Sequence, residues 1–338
     1  MILNLNEAVE IIQNGGVVAF PTETVYGLGA RADLVLAVDE VYQIKQRPKD
    51  NPLICHFADF EEVFPYVDFV PPYLMHLVQK FVPGPLSFRL KLKANSVLEP
   101  STAGQECVVC RVPDHQLARD LIHLVGKPLV GPSANTSGKV SNTSAEMVEN
   151  DLGLQIQGVL DGGESRVGIE STIIDCVKPD LIRILRPGFI SADDLKFVLH
   201  QDYPELIIQD FDQSVLPEVV PGMKYKHYSP DTSTSKIHSI DAIDPVLPQI
   251  VMCFNADLGG LTLYPNLKHA QVINLGDEDN LAEVAHKLYF NLKQIDKLNT
   301  DGSLKAYFFI KLETEQKILA SGLGRAIMNR LDRASSQN

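Results

Sequence analysis

Short apolar runs alternate with amphipathic stretches along the chain of 338 residues. Residues 17–20 and 53–57 are mostly apolar runs bounded by turn-forming or polar residues, and such runs predict buried strands. Residues 86–92 alternate apolar and polar side chains, which indicates a half-buried strand. Further strands are predicted at residues 108–112, 129–131, 158–160 and 171–177, and helices at residues 7–14, 33–45, 72–81 and 115–125.

Helix starts are predicted from side chains that can accept a hydrogen bond from the first free backbone N–H groups. The predicted N-cap residues are Asn6, Asp33, Asp114 and Ser191. The mixture of short strands and helices favours a mixed α/β domain at residues 1–205.

The remainder of the chain has a different pattern. Residues 206–234 lack clear periodicity and contain PGMKYKHYSP, so we interpret them as a linker. Beyond the linker, buried strands are expected near residues 250–256, 272–276 and 306–312, and helices near residues 280–298 and 323–333. This alternation predicts a smaller α/β domain with a parallel sheet at residues 235–338.

The composition is ordinary for a globular protein, with 45% hydrophobic and 22% charged residues. A chain of this length usually divides into two domains. No apolar run approaches the roughly 20 residues of a membrane-spanning helix. The first ten residues lack a basic region followed by an apolar stretch, so we expect no signal peptide and a cytoplasmic location. The net charge of −13 disfavours non-specific nucleic-acid binding by the whole surface.

The five cysteines are scattered, and Cys107 and Cys110 form a CxxC pair. The surrounding residues are typical of a strand, in which positions three apart point to opposite faces. No second pair is available to complete a tetrahedral zinc site. We therefore expect reduced core cysteines and no metal held by the protein itself.

Residues 21–32, PTETVYGLGARA, are the first candidate for binding chemistry. They are expected to leave a strand and enter a helix through Thr22, Thr24, Gly27 and Gly29. Such a loop offers backbone N–H groups and hydroxyl groups to an anion. A simple glycine-rich turn explains the same spacing.

A cluster of cations follows. Lys45, Arg47 and Lys49 precede Asn51 and His56 without matching acids, which favours an anionic ligand such as phosphate or carboxylate. The alternative is a charge effect, because cations are favoured in the last turn of a helix.

Further polar residues border apolar strands. Arg111 is costly to bury unless it has a partner, which could be Asp114 or the carboxylate of a ligand. Residues 131–145, GPSANTSGKVSNTSA, concentrate small donors and acceptors after a strand, as a polar surface loop also does. Ser171 and Arg186 each lie beside an apolar strand.

No local motif of the chain indicates a serine–histidine–acid catalytic triad, and the GxxxxGK[ST] sequence does not occur. SGLGR at residues 321–325 is a weak match to a phosphate loop and is more typical of a helix-packing turn. The residues alone therefore indicate a site for anionic small molecules without a nucleophile. Such a site favours chemistry by positioning and charge stabilisation, as in phosphoryl or nucleotidyl transfer.

The order of the motifs resembles that of the threonylcarbamoyl-AMP synthases of the YrdC/Sua family, in their two-domain form. The matching segments are PTETVYGLG, Lys45 and Arg47 with NPL, PGPLSFRL, CRVPDH, GPSAN, ESTIID and the linker PGMKYKHYSP. The resemblance implies a YrdC-like mixed α/β domain with a twisted sheet and a Rossmann-like α/β domain after it. It also implies a reaction that makes L-threonylcarbamoyladenylate and pyrophosphate from L-threonine, bicarbonate and ATP.

The resemblance assigns roles to individual residues. Lys45 and Arg47 are the expected catalytic cations, acting on the phosphates with Mg²⁺ that accompanies ATP. The residues expected at L-threonine are Thr24, His56, Arg111, Gly131 and Ser171. The residues expected at ATP are Arg47, Asn51, Cys107, Ser133, Asn135, Ser141, Arg186, His227 and Tyr228.

The resemblance also implies partners. A downstream threonylcarbamoyl transferase complex would pass the group to an adenosine of tRNA, and we expect neither stable tRNA binding nor membrane contact by this chain. The linker is a candidate lid over the nucleotide. Two alternatives remain open, a carbamoyl-adenylate-forming enzyme and an RNA-binding factor that uses the same cationic concave site.

Overall fold

The computed structural model describes residues 1–212, 214, 220–221, 223, 225, 227–243, 249–261, 267 and 270–335. The chain divides into two compact units. The first unit comprises Met1–Ser137 and Ser141–Tyr225, and the second comprises Gly138–Val140 and Lys226–Asn338.

The first unit is built on a mixed sheet in which eleven described strands run in the order β1-β8-β2-β3-β7-β4-β6-β5-β9-β10-β11. The strands are β1 (Ile2–Leu3), β2 (Val18–Phe20), β3 (Gly27–Arg31), β4 (Ile54–His56), β5 (Leu86–Lys91), β6 (Cys107–Arg111), β7 (Leu129–Val130), β8 (Gly158–Leu160), β9 (Thr172–Lys178), β10 (Leu181–Arg186) and β11 (Ile207–Gln209).

Helices cover the sheet of the first unit and bury most of its apolar side chains. The hydrophobic clusters of the described residues in this unit include a large one that contains Phe88 and Ile174, and a smaller one that contains Phe20 and Leu121. The helices are α1 (Leu5–Gln13), α2 (Val35–Lys45), α3 (Pro72–Phe81), α4 (Gln116–Val125), α5 (Ala145–Leu152) and α6 (Ala192–Leu199).

The second unit is a parallel sheet with helices, in the strand order β12-β15-β13-β14. The prediction of a smaller, Rossmann-like α/β domain is confirmed. Its elements are β12 (Thr234–Ile237), β13 (Gln249–Phe254), α7 (Asn255–Leu261), β14 (Gln271–Gly276), α8 (Leu281–Leu298), β15 (Lys305–Phe309), α9 (Leu312–Leu319) and α10 (Gly322–Ser335).

Most predicted elements are present, but three of the four predicted N-caps are wrong. Asn4, not Asn6, caps α1, because its side chain accepts from the N–H of Glu7 and the Glu7 side chain accepts in return. Asp33 pairs with Arg31 instead of capping α2. Asp114 precedes His115, which occupies the N-cap position of α4 without a side-chain hydrogen bond.

The cap at Ser191 is confirmed, since its hydroxyl accepts from the N–H of Asp194 at the start of α6. All five cysteines are free, as expected for reduced core cysteines, and Cys107 is the partly exposed one. Among the described helices, none combines the length and the apolar character that a membrane-spanning segment requires.

Residues 21–32 do not run from a strand into a helix. Gly27–Arg31 form β3, which pairs antiparallel with β2 and makes a hairpin. The glycines have a steric reason, because a Cβ on Gly27 would lie 2.6 Å from the ring of Phe20 and one on Gly29 would lie 2.8 Å from it. The Phe20 ring of β2 therefore packs directly on the backbone of β3.

The SGLGR segment is a helix-packing turn between α9 and α10. A Cβ on Gly324 would lie 1.8 Å from the carbonyl oxygen of Ile318, so no side chain fits. At Gly259, by contrast, no atom of the described residues beyond its own helix backbone and chain neighbours lies within 4 Å of such a Cβ.

We predict that Gly324→Ala lowers the unfolding free energy by about 2–3 kcal/mol, because the backbone must move to relieve the overlap. Gly259→Ala is the matched control and should be neutral or stabilising by up to about 1 kcal/mol in its helix. Calorimetric unfolding of both variants measures the difference, and equal stabilities would contradict the packing described.

Candidate active site

Two neighbouring parallel strands end side by side with a histidine and an arginine. His56 of β4 pairs with Arg111 of β6, and both belong to the face of Ile54 and Val109 because alternate residues of a strand share a face. Gly131 follows β7 and donates its N–H to the carbonyl oxygen of Ile54 at 2.9 Å. The structure thus brings together three residues predicted to bind L-threonine.

Gly131 is explained by lack of space. A Cβ at this position would lie 2.5 Å from Nδ1 of His56 and 2.9 Å from the ring of Phe20. These two rings pack edge to face with centroids 5.5 Å apart. Position 131 therefore takes no side chain while His56 keeps this orientation.

A β-bulge in β10 turns Arg186 towards the same face. The register shifts by one residue after Ile184, so that Arg186 lies opposite Ile173 of β9. Its guanidinium donates to Ser171, from Nη2 to Oγ at 3.0 Å and from Nε to the carbonyl oxygen at 3.1 Å. The Ser171 hydroxyl also lies 2.8 Å from that of Ser87, a residue that the sequence patterns do not single out.

The turn between β2 and β3 supplies buried hydroxyl groups and a buried carboxylate. The Oγ1 atoms of Thr22 and Thr24 lie 2.9 Å apart. Glu23, between them in sequence, is 1% exposed, and its Oε2 lies 2.8 Å from Nη2 of Arg111. Sequence reasoning missed Glu23, because nothing in the local pattern shows which strand end its side chain reaches.

The ion pair of Arg111 rules out Asp114 as its internal partner. Asp114 instead pairs with Arg166 nearer the surface, with 2.5 Å between Oδ2 and Nη2. Glu23, and not Asp114, is therefore the acidic partner of Arg111 within the chain.

Lys45 ends α2 inside the protein. It is 1% exposed, and its Nζ donates to the carbonyl oxygens of Ser133 and Asn135, each at 2.5 Å. Burial, together with the nearby charge of Arg47, lowers the pKa of Lys45 to about 7. The alternative explanation for Lys45, a favourable charge in the last turn of an exposed helix, does not account for a buried ammonium group with two carbonyl partners.

Arg47 is fixed by the turn that follows it. Its Nη2 donates to Oδ1 of Asn51 and to the carbonyl oxygen of Pro52, both at 2.7 Å. Its Nε donates to the carbonyl oxygen of Asn51 at 3.0 Å. The guanidinium therefore has a defined position beside Asn51, as a predicted pair of ATP residues requires.

The loop after β7 carries further predicted ATP residues. Ser141 is buried and donates from Oγ to Oε1 of Glu170 at 2.7 Å. The amide of Asn135 donates to the carbonyl oxygen of Thr136 at 2.8 Å. Glu170 is a second buried acid that sequence reasoning missed, although it precedes Ser171 in the segment ESTIID.

Cys107 is the predicted site residue that the sheet places apart. It begins the five-residue strand β6 that Arg111 ends, which separates the two by roughly 13 Å along the strand. Burial raises the pKa of its thiol. Its predicted role at ATP stays a prediction.

His227 and Tyr228 belong to the second unit. Tyr228 stacks on Tyr289 of α8, with ring centroids 5.5 Å apart, and the guanidinium of Arg330 lies 5.5 Å from its ring centroid. His227 contacts Tyr228 edge-on at 5.7 Å. Their contact with ATP stays a prediction, and part of the predicted lid (residues 213, 215–219, 222, 224 and 226) lies outside the described residues.

Several polar atoms at this face are buried without a hydrogen-bond partner among the described residues. They include Nδ1 of His56, Nδ2 of Asn51, Nη2 of Arg111 and both carboxylate oxygens of Glu23. Burial lowers the pKa of His56 well below its ordinary value, and the charge of Arg111 adds to this, so the imidazole is neutral at pH 7. Buried polar atoms normally have partners, and these fit a small polar ligand.

Comparison with known proteins gives the family of both units. Residues 10–188 match the Sua5/YciO/YrdC family model, described as "Telomere recombination". Residues 190–336 match the model of the threonylcarbamoyl-AMP synthase C-terminal domain. The chain belongs to the threonylcarbamoyl-AMP synthase family.

Relatives of the family match over nearly the full chain. The threonylcarbamoyl-AMP synthase of Pyrococcus abyssi is 34% identical, with 99% of this chain and 97% of the relative covered. That of Bacillus subtilis is 36% identical, with 97% and 92% covered.

Solved structures agree with this assignment. The crystal structure of P. abyssi Sua5 complexed with L-threonine is 33% identical, has a TM-score of 0.78, and is matched over 98% of this chain and 94% of its own. Escherichia coli YciO, at 24% identity and a TM-score of 0.50 over 56% of this chain, shows the fold alone.

We predict that Gly131→Ala lowers the unfolding free energy by about 1–3 kcal/mol, because the new methyl group displaces the His56 ring. In a His56→Ala background the same change should cost clearly less, since the ring is gone. Urea unfolding of the four proteins of this cycle provides the measurement. Equal costs in both backgrounds would show that His56 is not the obstacle.

The lowered pKa of Lys45 predicts a pH dependence of stability. The folded protein releases this proton near pH 7, while the unfolded chain keeps it until about pH 10. Between these values the unfolded state binds more protons, so this group makes stability rise with pH, by at most about 1.4 kcal/mol per pH unit.

Lys45→Met removes this titration. The unfolding free energy of wild type minus that of the variant should therefore increase from pH 7.5 to pH 9.5, as measured by urea unfolding. A difference that stays constant over this range contradicts the lowered pKa. Lys49→Met, at an exposed lysine paired with Asp39, is the matched control and should show no such trend.

Proposed function

We propose that the chain catalyses the formation of L-threonylcarbamoyladenylate and pyrophosphate from L-threonine, bicarbonate and ATP, for the threonylcarbamoyladenosine modification of tRNA. One contact carries this proposal. Arg186, predicted at ATP, donates hydrogen bonds to Ser171, predicted at L-threonine, at 3.0 Å between Nη2 and Oγ. The two groups of residues therefore share one surface, as the joining of two substrates requires.

The L-threonine side of the proposed site has both charges and hydroxyl groups. Arg111 is proposed to bind the α-carboxylate through its guanidinium fork. Thr24 and Ser171 offer hydroxyl groups, neutral His56 offers an acceptor or a donor, and Gly131 leaves the necessary space.

The ATP side combines cations with fixed polar groups. Arg47 and Lys45 are proposed to face the phosphates and to lower the cost of charge that builds up during transfer. The other residues proposed to bind ATP are Asn51, Cys107, Ser133, Asn135, Ser141, Arg186, His227 and Tyr228.

The proposed reaction has two steps. The threonine amine first forms a carbamate with bicarbonate, and a carbamate oxygen then attacks the α-phosphorus of ATP as pyrophosphate leaves. In the proposed scheme, none of the described site residues forms a covalent bond with a substrate. The protein therefore acts by positioning the substrates and by stabilising charge. Exclusion of water protects the reactive product, and the linker at residues 206–234 is the proposed lid.

Mg²⁺ is proposed to enter with ATP, where it neutralises phosphate charge. Mg²⁺ in such sites binds one or two carboxylates together with substrate phosphates. Glu170 fits this requirement, because it is a buried carboxylate in contact with Ser141. Among the described residues, a group of three adjacent acids occurs at Asp277, Glu278 and Asp279 of the second unit.

The wider context follows from the proposed product. A threonylcarbamoyl transferase complex would consume it, and this chain is proposed to bind no tRNA stably and to act in the cytoplasm. Residues 1–205 are the proposed catalytic domain, and residues 235–338 are proposed to support the lid.

We predict that the double variant Lys45→Ala, Arg47→Ala loses pyrophosphate release by at least about 100-fold, the scale for removing fixed charge stabilisation. Wild-type release should require ATP, bicarbonate and L-threonine together, with the adduct identified by mass spectrometry from labelled bicarbonate. Lys49→Ala is the control, since Lys49 is exposed and paired with Asp39, and it should keep wild-type activity.

Two results would reject the proposal. One is pyrophosphate release by wild type that does not depend on threonine. The other is full threonine-dependent release by the double variant.

A further inference from the structure

Glu23 is a buried acid whose backbone is held firmly. Its carbonyl oxygen accepts the N–H of Val167 at 2.7 Å. The preceding Thr22 accepts from Oγ of Ser165 at its carbonyl oxygen, at 2.9 Å. These contacts fix where the side chain starts, yet neither oxygen of the carboxylate has a hydrogen-bond donor among the described residues.

The pairing of Glu23 with Arg111 differs from the other partly buried pairs of the first unit. Arg31 donates twice to Asp33, at 3.0 and 2.8 Å. Arg89 donates to Asp175 at 3.1 Å. Glu23 and Arg111 approach to 2.8 Å without the alignment of a hydrogen bond, and Nη2 of Arg111 has no acceptor.

A buried ion pair without hydrogen bonds is a poor source of stability, because desolvation of both charges is only partly repaid. The two groups have opposite charges and unused hydrogen-bonding capacity at one place. An α-amino acid presents the complementary arrangement, with an ammonium group and a carboxylate group attached to the same carbon atom. The pair is therefore suited to hold a zwitterion.

We propose that Glu23 binds the α-ammonium group of L-threonine, beside Arg111 at the carboxylate, and accepts the proton that this nitrogen loses before it forms the carbamate. This inference rests on the proposed function and names the acceptor that the reaction needs.

The step balances with the substrates already named. The ammonium group gives one proton to the Glu23 carboxylate and becomes a neutral amine. The amine lone pair forms the N–C bond to bicarbonate, and hydroxide leaves from that carbon. The hydroxide takes a second proton from the nitrogen and departs as water, which leaves the carbamate anion.

Neighbouring groups are less suited to this role. Glu170 already accepts the hydroxyl of Ser141. Asp161 accepts the hydroxyl of Tyr26 at 3.2 Å and the N–H of Gly163 at 2.9 Å. His56 is neutral and brings no negative charge to a cation.

The test compares the forward reaction with the reverse of its second step. Glu23→Gln removes the charge and keeps the shape. Forward synthesis should fall by about 100-fold or more, the range for loss of a general base, with a higher KM for L-threonine. ATP formation from supplied threonylcarbamoyl-AMP and pyrophosphate needs no deprotonation of an ammonium group. The rate of this ATP formation by Glu23→Gln should stay within about three-fold of the wild-type rate, well under the tenfold change that about 1.4 kcal/mol produces.

Asp114→Asn is the matched control, because it neutralises a nearby acid that pairs with Arg166. It should leave both directions unchanged. Glu23→Asp retains the charge on a shorter side chain, and its forward loss should be smaller than that of Glu23→Gln.

Three outcomes overturn the inference. Glu23→Gln with wild-type forward synthesis shows that the carboxylate is not needed, and equal losses in both directions show a structural or nucleotide-binding role. If Glu23→Gln does not fold, Glu23→Asp decides, and equal changes in its two directions reject the inference. Wild type that makes no adduct at all instead rejects the proposed function itself.

Discussion

A buried ammonium group holds the candidate site together. Lys45 reaches from the last turn of α2 to two carbonyl oxygens of the loop after β7, at Ser133 and Asn135. Without that cation both carbonyl groups lose a charged donor, and buried polar groups left without partners are costly. The same contact places a positive charge, with its pKa lowered to about 7 by burial, next to the loop that bears Ser141. Structure and proposed chemistry thus depend on one nitrogen atom.

The charges of the site are arranged in two groups. The first group is Arg111, beside Glu23, and Arg186, against Ser171. The second is Lys45, the last residue of α2, and Arg47, in the turn after it. Each cation is bound by carbonyl, hydroxyl or carboxylate oxygens of the chain. Such preorganised groups need little rearrangement when charge develops on a substrate, which is the main source of electrostatic catalysis.

Much of this could be predicted from sequence, because strands and helices follow local periodicity. The bounds of α3 and β8 agree with their predicted ranges, and the cations of the site stand out in apolar surroundings. Glu23, Glu170 and Ser87 could not be found in this way. Their importance arises from partners far away in sequence, and only the order and register of the strands bring those partners close.

The errors have equally physical origins. The segment at residues 21–32 contains glycines that suit a strand-to-helix loop, yet they serve to admit the ring of Phe20 within a hairpin. A polar residue near a predicted helix start is a weak indicator of the cap, because competing partners such as Arg31 for Asp33 decide the outcome. Tertiary contacts override local preference at these positions.

The bulge in β10 decides on which face of the sheet Arg186 lies. Regular alternation from Ile184 would place Arg186 on the face that Ile184 shares with Ile174, among the apolar side chains packed under the helices. The extra residue, Leu185, shifts the register so that Arg186 lies opposite Ile173 instead. The side of the sheet from which this guanidinium emerges is therefore set by the register of two strands, and the composition of the segment offers no warning of it.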